Sequence, residues 1–130
     1  MLTVDQVLKS VSDWGSLALL RSIASVEEGE DLSVMSLTKL RLSRRAYYSR
    51  LRQLLDTELI ERNNGRYKLT SLGKIVYEYY MKIENLLKQD YYKLKAIDAI
   101  DKSEDLGAVE RVEAINNLIE DKKLKAILVR

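Results

Sequence analysis

Between stretches of helical periodicity the chain carries twelve residues, LIERNNGRYKLT (59–70), that read as a two-stranded ribbon. Asn64-Gly65 suits the positive φ angles of a type I′ turn, and the flanking residues alternate as strands do. The spacing sets Ile60 opposite Leu69 and Arg62 opposite Tyr67. On the other face Glu61 opposes Lys68, a favourable cross-strand charge pair.

The helices are legible on both sides. Thr3 or Asp5 opens a first short helix, with Val4, Val7, Leu8 and Val11 at helical spacing. Asp13 is placed to cap a second, which is expected to bury Trp14, Leu17, Leu20 and Ile23. SVEEGEDLS reads as a polar loop around Gly29, and Ser33 to Leu40 as a short helix. Ser43 caps a helix running to about Thr57, with Tyr47, Leu51, Leu54 and Leu55 as its inward stripe. Thr70 or Ser71 opens a long helix through Leu72, Ile75, Val76, Tyr79, Tyr80, Ile83, Leu86, Leu87, Tyr91 and Leu94, reaching toward Ile100. Thirty helical residues would extend about 45 Å. Asp90 interrupts a strict heptad there. After DKSEDLG, a last amphipathic helix uses Val109, Val112, Ile115, Leu118 and Ile119. The expected fold class is mainly α with a small β-hairpin. The expected division is 1–70 and 71–130.

The chain of 130 residues has no cysteine, histidine or proline. Disulfides, thiolate metal sites and thiol nucleophiles are thereby excluded, the commonest general base is missing, and nothing blocks long helices. No Gly-rich phosphate loop or nucleophile elbow is present, and paired acids such as Glu27-Glu28 or Asp101 with Glu104 read as solvated. The expectation is a protein that is not an enzyme and needs no cofactor or metal. No apolar run approaches the roughly 20 residues that span a bilayer. Acids stand near the N-terminus where a signal peptide has bases, so a cytoplasmic location is expected.

The net charge of +2 hides a strong local imbalance. Residues 39–74 hold ten basic and three acidic side chains, a net of +7, and no acid occurs from Leu32 through Leu55. With Tyr47, Leu51 and Leu54 facing inward, Arg44, Arg45, Tyr48, Ser49 and Arg52 share the outer face of their helix, with Ser43 at its start. An arginine fork can bind guanine O6 and N7 bidentately, worth about 1–3 kcal/mol of base discrimination. Thr38 and Lys39 are expected near the sugar-phosphate backbone. Asn63, Arg66 and Lys68 at the hairpin suit phosphate or the minor groove. The bland alternative is a solvated face, with Arg50 or Arg52 paired to Asp56. Tyr47, Tyr67, Tyr77 and Tyr80 read as packing residues.

The segment LSRRAYYSRLRQLLDTELIERNNGRYKLTSLGK resembles the recognition helix and wing of the winged helix-turn-helix transcription regulators of MarR, PadR and ArsR-like type. The shared pattern is the leucine-serine cap, core positions Tyr47, Leu51 and Leu54, then LI, a wing turn, and LTSLGK opening the next helix. It covers about residues 13–80. Glu58 departs from it, standing where such regulators usually have glycine. The resemblance implies a winged-helix DNA-binding domain with double-stranded DNA as partner.

The long helix has two readings: pairing with its copy through Ile75, Tyr79, Ile83, Leu86 and Leu87, or folding back on its own core. A homodimer is the favoured one, because the helix is overlong for a small domain. It would present two recognition helices to half-sites about one helical turn apart. The C-terminal helix is left open between interface, partner binding and an effector pocket for a small molecule or protein. The rival function is a winged-helix protein-interaction scaffold that does not bind DNA, since fold does not fix function.

Overall fold

A computed structural model describes residues 1–27 and 41–130. The expected loop around Gly29, the helix from Ser33 to Leu40, and the candidate contacts Thr38 and Lys39 lie outside those residues. The described chain is mainly helical with one antiparallel hairpin and forms two compact units, Met1–Tyr80 and Met81–Arg130.

In the first unit, α1 (Val4–Ser10) starts with a capping box in which Thr3 and Gln6 satisfy each other's backbone N–H groups. Only its Val7 side meets the core; Val4 and Leu8 stay in solvent. Helix α2 (Trp14–Glu27) is capped by Asp13, whose Oδ1 accepts from the Ser16 backbone N–H at 2.8 Å. Helix α3 (Arg44–Asp56) is capped by Ser43, whose Oγ accepts from Ala46 N–H at 3.1 Å. The hairpin β1 (Ile60–Asn63) and β2 (Arg66–Leu69) has the expected register, Ile60 with Leu69, Glu61 with Lys68 and Arg62 with Tyr67. Asn64 (φ 53°) and Gly65 (φ 76°) supply the turn. Leu19, Leu20, Ile23, Leu51, Leu54, Leu59, Ile60 and Leu69 make the buried core, so the base of the ribbon is sealed by α2 and α3.

Trp14 overturns an expectation. It is 63% exposed, because it occupies the first turn of α2, on the side away from Leu20 and Ile23. Helical spacing identifies an apolar row but not where the core stops covering it.

The junction behind α3 is tightly built. Glu58 takes a left-handed backbone (φ 60°), the conformation that a glycine adopts without cost. A non-glycine residue there costs about 1–2 kcal/mol. Thr70 joins the hairpin's exit to this corner: its hydroxyl donates to Glu58 O at 2.5 Å and accepts from Gly73 N–H at 3.0 Å, while its own N–H donates to Leu59 O at 3.1 Å. Glu58→Gly should stabilise the first unit by about 1 kcal/mol, read as a shift of the urea midpoint at unchanged slope. An unshifted or lowered midpoint would show that the carboxylate side chain offsets its backbone strain.

Helix α4 (Ser71–Asn85) follows, then a π turn (Leu86–Asp90) and α5 (Tyr91–Asp101). The single long α-helix expected from the sequence is therefore interrupted by one wide turn ending at Asp90, the residue that breaks the heptad. In the second unit α6 (Ala108–Leu118) and α7 (Lys122–Leu128) fold with α5 around Ile97, Ile115 and Ile119. Arg111 ties them together, bonding the Asp101 carboxylate and donating to Leu128 O at 2.8 Å. Asp121 caps α7 by accepting from the Lys123 and Leu124 N–H groups, and these bonds hold its carboxyl below the usual carboxylate range. Val109 and Val112, expected on the inward row of α6, are exposed, so the buried row is shorter than the spacing suggested. No helix among the described residues is long and apolar enough to cross a membrane.

Candidate nucleic-acid interface

The apolar row of α3 fixes what its opposite side can offer. Leu51 and Leu54 are buried, and Tyr47 and Leu55 pack half-buried against the same core. Burial and neighbouring tyrosines push the Tyr47 hydroxyl pKa up, as expected for a ring that keeps its proton. With those residues facing inward, Arg44, Arg45, Tyr48, Ser49 and Arg52 all lie in solvent. At 100° per residue they occupy about 140° of the helix circumference. Arg44, Arg45 and Arg52 form no ion pair among the described residues, so three guanidinium groups stand available on one surface.

Arg50 behaves differently. It lies off this arc, and its Nε sits 3.1 Å from Asp13 Oδ1, an ion pair without the alignment of a hydrogen bond. The expected alternatives, Arg50 or Arg52 with Asp56, are not formed among the described residues. Asp13 thus serves twice, capping α2 and holding α3 against it through a side chain 37 positions away in sequence. Such a pair is about one-third exposed and stabilises by less than about 1 kcal/mol. It agrees with the rotation of α3 that burial of Leu51 and Leu54 sets.

Tyr48 is 58% exposed, and its ring packs edge-on to Tyr47 with centroids 5.3 Å apart. That contact holds the ring in a defined direction among the arginines. Ser43, proposed from sequence as a contact, uses its oxygen as the helix cap. On the hairpin, Asn63 and Arg66 flank the exposed tip, while Lys68 lies 3.3 Å from Glu61 and is partly neutralised.

Two residues missed by sequence reasoning belong to this surface. Tyr67 packs against the core, yet its ring also borders an open cleft between α3 and β2. Arg62, directly opposite, places its guanidinium 5.8 Å from the Tyr67 ring centroid, a cation–π geometry. The cross-strand pairing of Arg62 with Tyr67 was legible; the cleft beside it depends on how α3 meets the hairpin.

The proposed dimerisation residues also divide. Ile75, Tyr79 and Ile83 are exposed along α4 and Leu87 in the π turn, whereas Leu86 is half-buried. Tyr80, read from the sequence as a packing residue, accepts a hydrogen bond from Arg21 Nη2 at 3.3 Å. Among the described residues no group of three or more acidic side chains is arranged to hold a metal ion. Compared with models of known families, with curated proteins and with solved structures, the chain gives no match.

Proposed function

We propose that the protein is a sequence-specific double-stranded DNA-binding transcription regulator of winged helix-turn-helix type, without catalytic activity and acting in the cytoplasm. In this reading α3 enters the major groove with its N-terminal half toward the bases, and the hairpin rests on the flanking backbone or minor groove. Arg44, Arg45 and Arg52 read base edges, Tyr48 and Ser49 add contacts to bases or phosphates, and Asn63, Arg66 and Lys68 hold the duplex from the hairpin. The observation that carries the reading is the shared exposure of three arginines that have no acid partner among the described residues, beside a ribbon of defined register.

A second copy completes the proposal. Leu72, Ile75, Tyr79 and Ile83 recur at steps of three and four on α4 and lie open to solvent. Pairing this row with itself removes it from water and sets two α3 helices on one duplex. The C-terminal helices then remain free for an effector or a further partner.

Anisotropy titration of a labelled duplex pool at several salt concentrations tests the reading. Log affinity is expected to fall linearly with log salt, with a slope of about −0.9 per phosphate neutralised. Arg66→Ala should weaken binding evenly across sequences and make that slope shallower by about one. Flat titrations would instead favour a winged-helix scaffold that contacts only protein. Sedimentation of a Tyr79→Lys/Ile83→Lys variant should return a monomer where the wild type is a dimer.

A further inference from the structure

The open cleft between α3 and the hairpin is lined by Tyr48, Leu51, Arg52, Leu55, Asp56 and Tyr67 and has a volume of about 440 Å³. Its walls are unlike a hole left by loose packing. Its lining combines two tyrosines and an arginine with the buried Leu51 and half-buried Leu55. Each tyrosine ring is braced, Tyr48 edge-on against Tyr47 and Tyr67 under the Arg62 guanidinium.

We infer that this cleft seats one sugar-phosphate strand of bound duplex DNA, gripped by Tyr67 and Tyr48. The inference rests on the DNA-binding reading and adds a site to it. With α3 in the major groove and the hairpin in the adjoining minor groove, the strand that separates those grooves has one path, through the gap between the two elements. The chemistry of the walls matches such a strand. The apolar leucines suit the carbon face of a deoxyribose, the phenol hydroxyls can donate to a phosphate oxygen, and positive charge comes from Arg52 in the lining and from Arg62 stacked on the Tyr67 ring.

Asp56 is the one acid among these six residues. It ends the acid-free run and stands on the last turn of α3, where the helix dipole disfavours a negative charge. It is exposed and makes no ion pair or hydrogen bond among the described residues, so none of them neutralises its charge. In the proposed site Asp56 opposes the phosphate and holds down affinity for any duplex, a repulsive element that leaves discrimination to the base contacts.

The experiment uses the full chain and a duplex selected by it from a randomised pool, scanned with single methylphosphonate substitutions that each remove one phosphate charge. For the wild type, one or two adjacent positions on one strand of each half-site should weaken binding about tenfold. Tyr67→Phe, which keeps the ring, should weaken binding to the unmodified duplex about three- to tenfold. It should lose little more at those same positions, the non-additivity expected of direct partners. Asp56→Asn should tighten binding several-fold on selected and scrambled duplexes alike. Wild-type affinity in Tyr67→Phe with the full loss retained at every phosphate overturns the strand site, while the DNA-binding reading stands. Unchanged or weaker binding by Asp56→Asn removes its opposing role. A selection that returns no salt-sensitive duplex overturns the site and the reading together.

Discussion

Replacing Gly73 by alanine is expected to lower the melting temperature of the first unit by on the order of 10–20 °C. Gly73 is buried in the first turn of α4, and a Cβ built on it would lie 1.9 Å from the carbonyl oxygen of Leu59. The obstacle is backbone, which cannot rotate aside like the end of a side chain. Relief therefore requires α4 to move off the corner that Thr70 closes between Glu58 O and Gly73 N–H. Overpacking typically costs 1–3 kcal/mol and more where backbone must shift, so about 3 kcal/mol is the expected loss. That is a large share of the 5–15 kcal/mol that holds a domain together. Gly65→Ala is the matching control: its Cβ meets nothing within 4 Å, and only the positive φ is penalised, so a loss of about 1 kcal/mol is expected. Equal thermal shifts for the two variants would refute the role given to the Leu59 contact.

The second large effect concerns recognition. Arg45→Ala with Arg52→Ala should reduce affinity for a selected duplex by on the order of a hundredfold and flatten its sequence preference, each arginine contributing about 1–3 kcal/mol of discrimination. Both side chains are exposed and unpaired among the described residues, so the thermal stability of the variant should match the wild type. Arg50→Ala should show the converse pattern. Its partner is Asp13, so it should lose a fraction of a kcal/mol in stability while preferring the same sequences. Selection from a randomised pool by each variant, beside its denaturation curve, separates the outcomes. An unchanged consensus for the Arg45/Arg52 double variant would rule out base reading by this face.

The contrast between Arg50 and Arg52 shows what the sequence could reveal. Local rules with few competitors were sufficient for the caps at Asp13 and Ser43, the Asn64-Gly65 turn and the ladder from Ile60 to Leu69. Each depends on backbone groups only a few residues away or on strict alternation. Helical spacing alone placed Arg44, Arg45 and Arg52 outward. The Asp13 pairing of Arg50 depends on how α2 and α3 meet, which no local pattern encodes. Trp14, Val4 and Leu8 were misleading for a related reason, since periodicity reports a face and not the extent of the core that covers it. The π turn at Leu86–Asp90 adds a residue to one turn of helix, and its only trace in the sequence is the broken heptad at Asp90.

The ribbon's anchoring at one end has an evolutionary consequence. Ile60 and Leu69 are immobilised in the core, and everything beyond them alternates sides with each added residue. Lengthening one strand alone would force a bulge or a slip and turn Tyr67 away from its cleft. Growth of two residues on each strand would carry the tip outward by about 7 Å and return Asn63 and Arg66 to their present sides. Descendants of this protein with longer ribbons should therefore gain residues in multiples of four, with the base unaltered.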